Sequence, residues 1–300
     1  GYSKAFAAAL VVAASIIGPI IPPSVIMVLY AAVADISVLR LFLAGIVPGL
    51  LLGACCALVV YFRGKRGGAM PVATVAVKRE ELPRLFRDGL LVLSLPGFIV
   101  VGTMSGAFTP TEAGGVAVVY AAFLGTFVFR SLNLAGLWQA ARNSARMTAG
   151  LFLLIAAVEV VNYVLILAGV AEGTGAIVSV FKDYPQIFML VCVAAFLVIG
   201  LALDAGPALL LLAPVLLPIT RSMGIDDIHF SMVMIVSVTL GLISPPVGIC
   251  LFVACKIGNI TMRALWSELA LFFYAEIAVI VLLVYFPVLS TGIPYLIRGA

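Results

Sequence analysis

Charge is scarce in this chain. Only 10% of its 300 residues are Asp, Glu, Lys or Arg, while 64% are hydrophobic; an ordinary soluble domain is about 25% charged. Folded in water, this composition would leave more apolar surface than one core can hide. A soluble domain is excluded, and lipid is the implied solvent. Histidine is nearly absent: His229 is the only one, which excludes a His-based metal site. The five cysteines (Cys55, Cys56, Cys192, Cys250, Cys255) all lie in apolar runs without metal-ligand spacing. They read as small hydrophobes in packed helices rather than as a disulfide framework. No G-x-S-x-G, P-loop, H-E-x-x-H or Cys/His cluster occurs, so the chain reads as no enzyme and hydrolyses no nucleotide. The net charge of +4 comes without a basic face interleaved with aromatics, which argues against nucleic acid as a partner. Basic loops of a membrane protein account for it.

What is present is a series of long apolar runs. A spanning helix needs about 20 largely apolar residues, and candidates fall at 5–34, 40–62, 89–107, 110–129, 148–170, 186–219, 229–257 and 265–288. Two of these, 5–34 and 229–257, are too long for one crossing and carry a double proline in the middle. A third, 186–219, is broken at Asp204-Ala205-Gly206-Pro207. Arg63, Lys65, Arg66, Lys78, Arg79, Arg84 and Arg87 crowd residues 63–88, which places that stretch in the cytoplasm, together with 130–147 and its Arg130, Arg142 and Arg146. Treating 186–219 as a re-entrant hairpin with its tip near Asp204 puts Asp226-Asp227 outside, and Lys256 and Arg263 inside. That satisfies the charge rule better than a full crossing does.

The chain also repeats itself. Sliding it by 223 residues aligns Gly1–Arg40 with Gly224–Arg263 without a gap. The identical pairs are Gly1/Gly224, Gly18/Gly241, Ile20/Ile243, Pro22/Pro245, Pro23/Pro246, Ile26/Ile249, Ala31/Ala254 and Arg40/Arg263. Two double prolines, each four residues after a glycine, carry most of the weight. By loop charge the two copies run in opposite directions, as an inverted-topology repeat requires. Secondary transporters are commonly built this way, with substrate and coupling ions held near the midplane by interrupted helices. The second copy is preceded by the 186–219 hairpin and the first by nothing. With no initiator Met at Gly1, the chain is expected to be a fragment whose upstream part holds the matching hairpin.

Five motifs could carry chemistry. In Gly18-Pro19-Ile20-Ile21-Pro22-Pro23-Ser24 the prolines remove N–H donors and disfavour helix in the residues before them. Unwound backbone survives at mid-membrane only against protein or a wet cavity. Its carbonyls suit a hard cation, and the half-helix beyond offers its N-terminus and the Ser24 hydroxyl to an anion. Gly241-Leu242-Ile243-Ser244-Pro245-Pro246-Val247-Gly248 repeats the arrangement with Ser244 and Thr239 as its polar side chains. Asp204 reads as an intramembrane acid on an ion path, as the N-cap of the following helix, or as both. Thr109-Pro110-Thr111-Glu112 reads as a capping box, the alternative being Thr109 or Thr111 on the substrate path. Glu159 and Asn162 share a helix face and could be functional or merely hydrogen-bond between helices; Glu276 lacks polar neighbours at helical spacing.

These runs, with Leu43-Ala44-Gly45-Ile46-Val47-Pro48-Gly49 and Gly106-Ala107-Phe108-Thr109-Pro110-Thr111-Glu112-Ala113, resemble the large membrane subunit of the tripartite ATP-independent periplasmic (TRAP) transporters, the DctM family. The resemblance covers essentially the whole chain. It implies a sodium-coupled importer of organic anions such as C4-dicarboxylates or sialic acid. Such importers work by an elevator-type motion with a small four-helix membrane subunit and a periplasmic substrate-binding protein, in the bacterial inner membrane. It further implies one Na+ site around Ser15, Gly18 and Ile21 and a second around Gly241, Ser244, Val247 and the Asp204 tip, with Ser24 and Thr109 near the substrate carboxylate. A binding-protein-independent sodium/carboxylate symporter, a channel and a structural subunit stand as alternatives.

The expected fold is therefore an all-α polytopic membrane protein with inverted repeats, broken helices and a re-entrant hairpin. Its expected organisation is a first-repeat broken helix and following span (1–62), a cytoplasmic basic loop (63–88), three spanning helices (89–170), a re-entrant hairpin region (171–223), and a second-repeat broken helix with a final span (224–300).

Overall fold

A computed structural model describes residues 2–66, 81–167 and 180–298. Gly1 of the repeat, Lys78 and Arg79 of the basic stretch, the Asn162 side chain and residues 168–179 lie outside the described residues. All regular structure among those described is helical, in the order α1 (Lys4–Ser15), α2 (Val25–Ala34), α3 (Val38–Arg66), α4 (Leu82–Met104), α5 (Pro110–Phe123), α6 (Leu134–Leu167), α7 (Pro185–Ala202), α8 (Ala205–Ser222), α9 (Asp227–Gly241), α10 (Ile249–Gly258), α11 (Met262–Tyr285) and α12 (Val288–Arg298). Among them, seven helical segments are long and apolar enough to cross a bilayer. The chain is a polytopic all-α membrane protein, as its composition required.

Polar side chains set the helix starts. Ser3, Ser24, Thr109, Asp226 and Thr261 each accept a hydrogen bond from the backbone N–H three residues on, as N-cap side chains do. At Thr109 the bond is reciprocated: Glu112 reaches back to the Thr109 N–H at 2.8 Å, so the capping box is formed.

Two boundaries differ from the hydropathy reading. Residues 130–147 are not a loop, because α6 runs unbroken from Leu134. Asn133 caps it through the Gly136 N–H at 2.8 Å, and its Leu, Ala, Gln and Arg are good helix formers whatever their charge. The stretch 63–88 is likewise shortened at both ends, α3 reaching Arg66 and α4 starting at Leu82. A terminal helix, α12, was not anticipated; it lies along α3.

The chain divides into two compact units, Thr74–Glu159 and the remainder. In the smaller unit α4 packs on α5, and Ser94 is hydrogen-bonded to Tyr120 at 2.8 Å. In the larger unit α9 is the hub: every residue from Ile228 to Gly241 is buried, beneath α7, α8, α3, α11 and α12. Helix α12 is tied to it by a 2.8 Å hydrogen bond between Ser290 and His229 and by Tyr295 donating to Asp226.

Both copies of the repeat fold as helix, break, helix, long helix: α1–α2–α3 and α9–α10–α11. At 1.5 Å per residue the half-helices are about 15–22 Å long, short of a hydrocarbon core of about 30 Å. Neither half-helix is long enough to cross alone; each pair together is. The Pro22-Pro23 and Pro245-Pro246 peptide bonds are both cis.

The gapless alignment needs one correction. The left-handed C-caps of α2 and α10 are Asp35 and Asn259, and the N-caps are Ser24 and Gly248. Each pair lies 224 residues apart. Val247 is thus an inserted residue in the second break. The coincidences Ile26/Ile249, Ala31/Ala254 and Arg40/Arg263 are not equivalent positions, whereas Asp35-Ile36-Ser37 and Asn259-Ile260-Thr261 are.

Candidate transport site

The first break is an open stretch of backbone. After α1 ends at Ser15, the N–H groups of Ile20 and Ile21 both turn back to the Ile17 carbonyl, at 3.0 and 2.9 Å. Pro19, Pro22 and Pro23 have no N–H to give. The carbonyls of Ser15, Gly18 and Ile21 consequently accept no backbone hydrogen bond among the described residues, and all three residues are exposed. Bare carbonyls are the kind of ligand a hard cation takes.

Ser24 is buried, and its hydroxyl is already engaged. It donates to the Pro19 carbonyl and accepts from the Met27 N–H at 3.2 Å. This pins the break to the start of α2 and leaves the N–H groups of Val25 and Ile26 without partners among the described residues. Free N–H groups at a helix N-terminus form an anion seat.

Helix α3 backs this break. The Ile20 carbonyl presses against Gly45, where a Cβ would stand 2.3 Å from its oxygen, and Ile21 presses against Gly49, where a Cβ would meet its Cγ1 at 2.4 Å. The four-residue spacing of these glycines is the small-residue signal that marks close helix approach in membranes.

The second break is built differently. Ser244 N–H donates to the Gly241 carbonyl, and Gly248 N–H to the Ser244 carbonyl, both at 3.0 Å. Two of the three carbonyls expected to face a cation are therefore occupied, and only that of Val247 is bare among the described residues. Ser244 is buried and donates its hydroxyl to the Leu240 carbonyl at 3.2 Å, which leaves the oxygen's lone pairs available. Cys250 N–H donates to the Leu242 carbonyl at 3.3 Å, so the α10 terminus lacks the open pair of α2.

Asp204 sits at the break between α7 and α8, as its Asp-Ala-Gly-Pro sequence predicts; each flanking helix is itself long and apolar enough to cross a bilayer. One oxygen accepts the Ala205 N–H at 2.7 Å and the other is unpaired among the described residues. The capping reading of Asp204 holds, and the cap leaves one carboxylate oxygen open. This turn is held beside the second break by Gly200, whose missing side chain lets α7 meet Gly241 backbone to backbone. Asp204 lies near enough to Cys250 for its charge to be felt there.

A groove of about 660 Å³ lies between α1 and α10, lined by Ser15, Val12 and Ala8 on one wall and Cys250, Val253 and Ala254 on the other. Across the repeat, Ser231 of α9 donates to the Tyr30 hydroxyl of α2 at 3.0 Å. In the smaller unit, the Thr109 hydroxyl donates to Glu112 at 2.9 Å, while Thr111 is exposed with no hydrogen bond among the described residues. Glu159 is exposed.

Apolar helices long enough to cross a bilayer, together with two helices interrupted in matching fashion, define the class: a polytopic all-α membrane protein with a repeated broken helix. The family follows from comparison. Residues 1–289 match the model of the tripartite ATP-independent periplasmic transporter, DctM component, and the chain belongs to that family. It is 36% identical over 296 residues to the C4-dicarboxylate TRAP transporter large permease protein DctM of Pseudomonas aeruginosa, covering 98% of this chain and 68% of that one. It is 34% identical over 300 residues to the sialic acid TRAP transporter large permease protein SiaM of Vibrio cholerae, covering 99% and 69%. To the 2,3-diketo-L-gulonate TRAP transporter large permease protein YiaN of Escherichia coli it is 35% identical over 242 residues, covering 81% and 56%. The chain thus spans between about half and about two thirds of these proteins' lengths. All three are named as permease subunits and none as an enzyme, in keeping with the missing catalytic motifs.

Proposed function

We propose that this chain forms the ion- and anion-binding part of a TRAP large permease that imports a small organic anion, driven by the sodium gradient. The observation that carries the reading is the first break. Within one short segment it leaves the carbonyls of Ser15, Gly18 and Ile21 and the N–H groups of Val25 and Ile26 without backbone partners among the described residues. A sodium ion held by the carbonyls of Ser15, Gly18 and Ile21 would fix that segment, and with it the Val25 and Ile26 N–H groups that meet a carboxylate. Ser24 braces this seat from behind. Binding of cation and anion then favour one another by the same free energy, and a sodium gradient can do work on the anion.

The second Na+ site would draw on the Val247 carbonyl, the Ser244 hydroxyl and the Asp204 carboxylate, with Gly241 as the packing surface that brings the tip into place. Thr111 is the free hydroxyl of its segment for a substrate; Thr109 serves as a cap, since an anion reaching it would meet the Glu112 carboxylate. The two inverted copies would alternate access by moving the site as a body, elevator fashion. The relatives named above move C4-dicarboxylate, sialic acid and diketo-gulonate, so a hydroxylated or dicarboxylic acid is the proposed class. The proposed partners are a small four-helix membrane subunit and a periplasmic substrate-binding protein, and the proposed location is the bacterial inner membrane.

Uptake by proteoliposomes carrying the full-length permease and both partners tests this. Accumulation against the substrate gradient only under inward-directed sodium supports it. Passive, sodium-independent flux would sink it, and uptake undiminished without the binding protein would leave only the simpler symporter.

A further inference from the structure

Glu276 belongs to neither break. It sits well inside α11 and is 0% exposed. Its Oε1 faces the Cys56 thiol of α3 at 3.5 Å, and its Oε2 has no hydrogen-bond partner among the described residues. Helix α3 brings Cys55 and Cys56 into its reach, while Arg63 is spent on Glu268 at 2.8 Å. On α1 the charged group is Lys4, which lines the groove toward α10 with Cys250. On α9, Asp227 pairs with Arg221 and His229 bonds Ser290. Among the described residues, no side-chain hydrogen bond or ion pair other than that of Cys56 reaches it.

A carboxylate in that place would give up its hydration and receive neither a cation nor an N–H in return. A thiol is a weak donor and cannot replace them. A neutral acid needs no such compensation. We propose that Glu276 is a proton-binding site, a carboxylic acid that keeps its proton while α3 and α11 are packed together, separate from the path of the sodium ions and the anion. The ligand is the proton itself, and the site is the seam between these two helices. A state in which they part and water enters would release it, which makes the proton a ligand of the packed seam in the sense of a population shift.

The test needs no transport activity. Infrared spectra of the purified full-length permease in lipid are recorded near neutral pH for the wild type and for Glu276→Gln, with Glu276→Met as the second variant should the first not fold. The expected result is a C=O stretch of a protonated carboxyl group in the wild type that is missing from the variant. Wild-type and variant spectra that coincide in that region, with a carboxylate band lost instead, would overturn the proposal. Sodium-driven uptake could succeed or fail without affecting this readout.

Discussion

Gly200 and Gly241 meet backbone to backbone: a Cβ on Gly200 would stand 2.5 Å from the Val238 carbonyl oxygen and 2.8 Å from the Gly241 Cα. This contact seats α7 on α9 one turn before the Asp204 tip, so it fixes where Asp204 sits relative to the second break. Backbone on both sides leaves nothing flexible to move aside. Gly200→Ala should therefore destabilise the protein by about 1–3 kcal/mol, the usual cost of overpacking a close-packed site, and should weaken sodium binding by displacing the tip. Thermal melting with and without sodium measures both. An alanine variant that melts like the wild type would show that the helices can separate at no cost.

The first break offers a cleaner comparison, because two of the glycines of α3, Gly45 and Gly53, lie in different surroundings. At Gly45 an added methyl would meet the Ile20 carbonyl oxygen and the Met27 Cε at 2.3 and 2.6 Å, whereas at Gly53 it would meet nothing within 4 Å. Gly45→Ala should push the Ile20–Ile21 peptide out of place and raise the sodium concentration giving half-maximal stabilisation. Gly53→Ala should leave it unchanged and gain up to about 1 kcal/mol of helix propensity. Equal sodium titrations for the two variants would mean that α3 does not position this segment.

Proline made the breaks legible from sequence, since it removes donors and bars helix wherever it stands. The break at Asp204 and the capping box at Thr109 were legible for the same kind of local reason. The inserted Val247 was not. In a chain rich in Ile, Ala and Gly, chance identities such as Ile26/Ile249 outvoted the true frame, and only the left-handed caps at Asp35 and Asn259 reveal it. Arg142 and Arg146 misled in another way: charge places a segment near the cytoplasmic surface but does not stop a helix, so α6 was cut short. The pairing of Glu276 with Cys56 and the seating of Ile20 on Gly45 join residues distant in sequence, for which no periodicity gives a sign.

The corrected frame sharpens the role of Ser24. Its structural counterpart is Gly248, so the second copy manages without a hydroxyl at this cap. Ser24→Ala should cost about 1 kcal/mol, and Ser24→Gly only a few tenths, as at other N-caps. If the Val25 and Ile26 N–H groups form the anion seat as proposed, the KM for the anion should follow stability, rising for alanine and staying near wild type for glycine. A KM that rises equally in both variants would put the hydroxyl itself on the substrate. Uptake kinetics beside thermal melts separate the two.

Asp204 admits a substitution that divides its two duties. Asparagine caps a helix about as well as aspartate, so Asp204→Asn should keep the bond to the Ala205 N–H, now 2.7 Å, and leave the melting temperature without sodium unchanged. What it removes is the negative charge. If the open carboxylate oxygen serves a cation beside Val247 and Ser244, the sodium concentration for half-maximal uptake should rise about tenfold, equivalent to about 1.4 kcal/mol. The first break, with its neutral carbonyls, should continue to bind. The variant should therefore show a shallower dependence of uptake on sodium as well as a weaker one. Sodium titrations of uptake that superimpose on the wild type would remove Asp204 from the ion path and leave it as a helix cap alone.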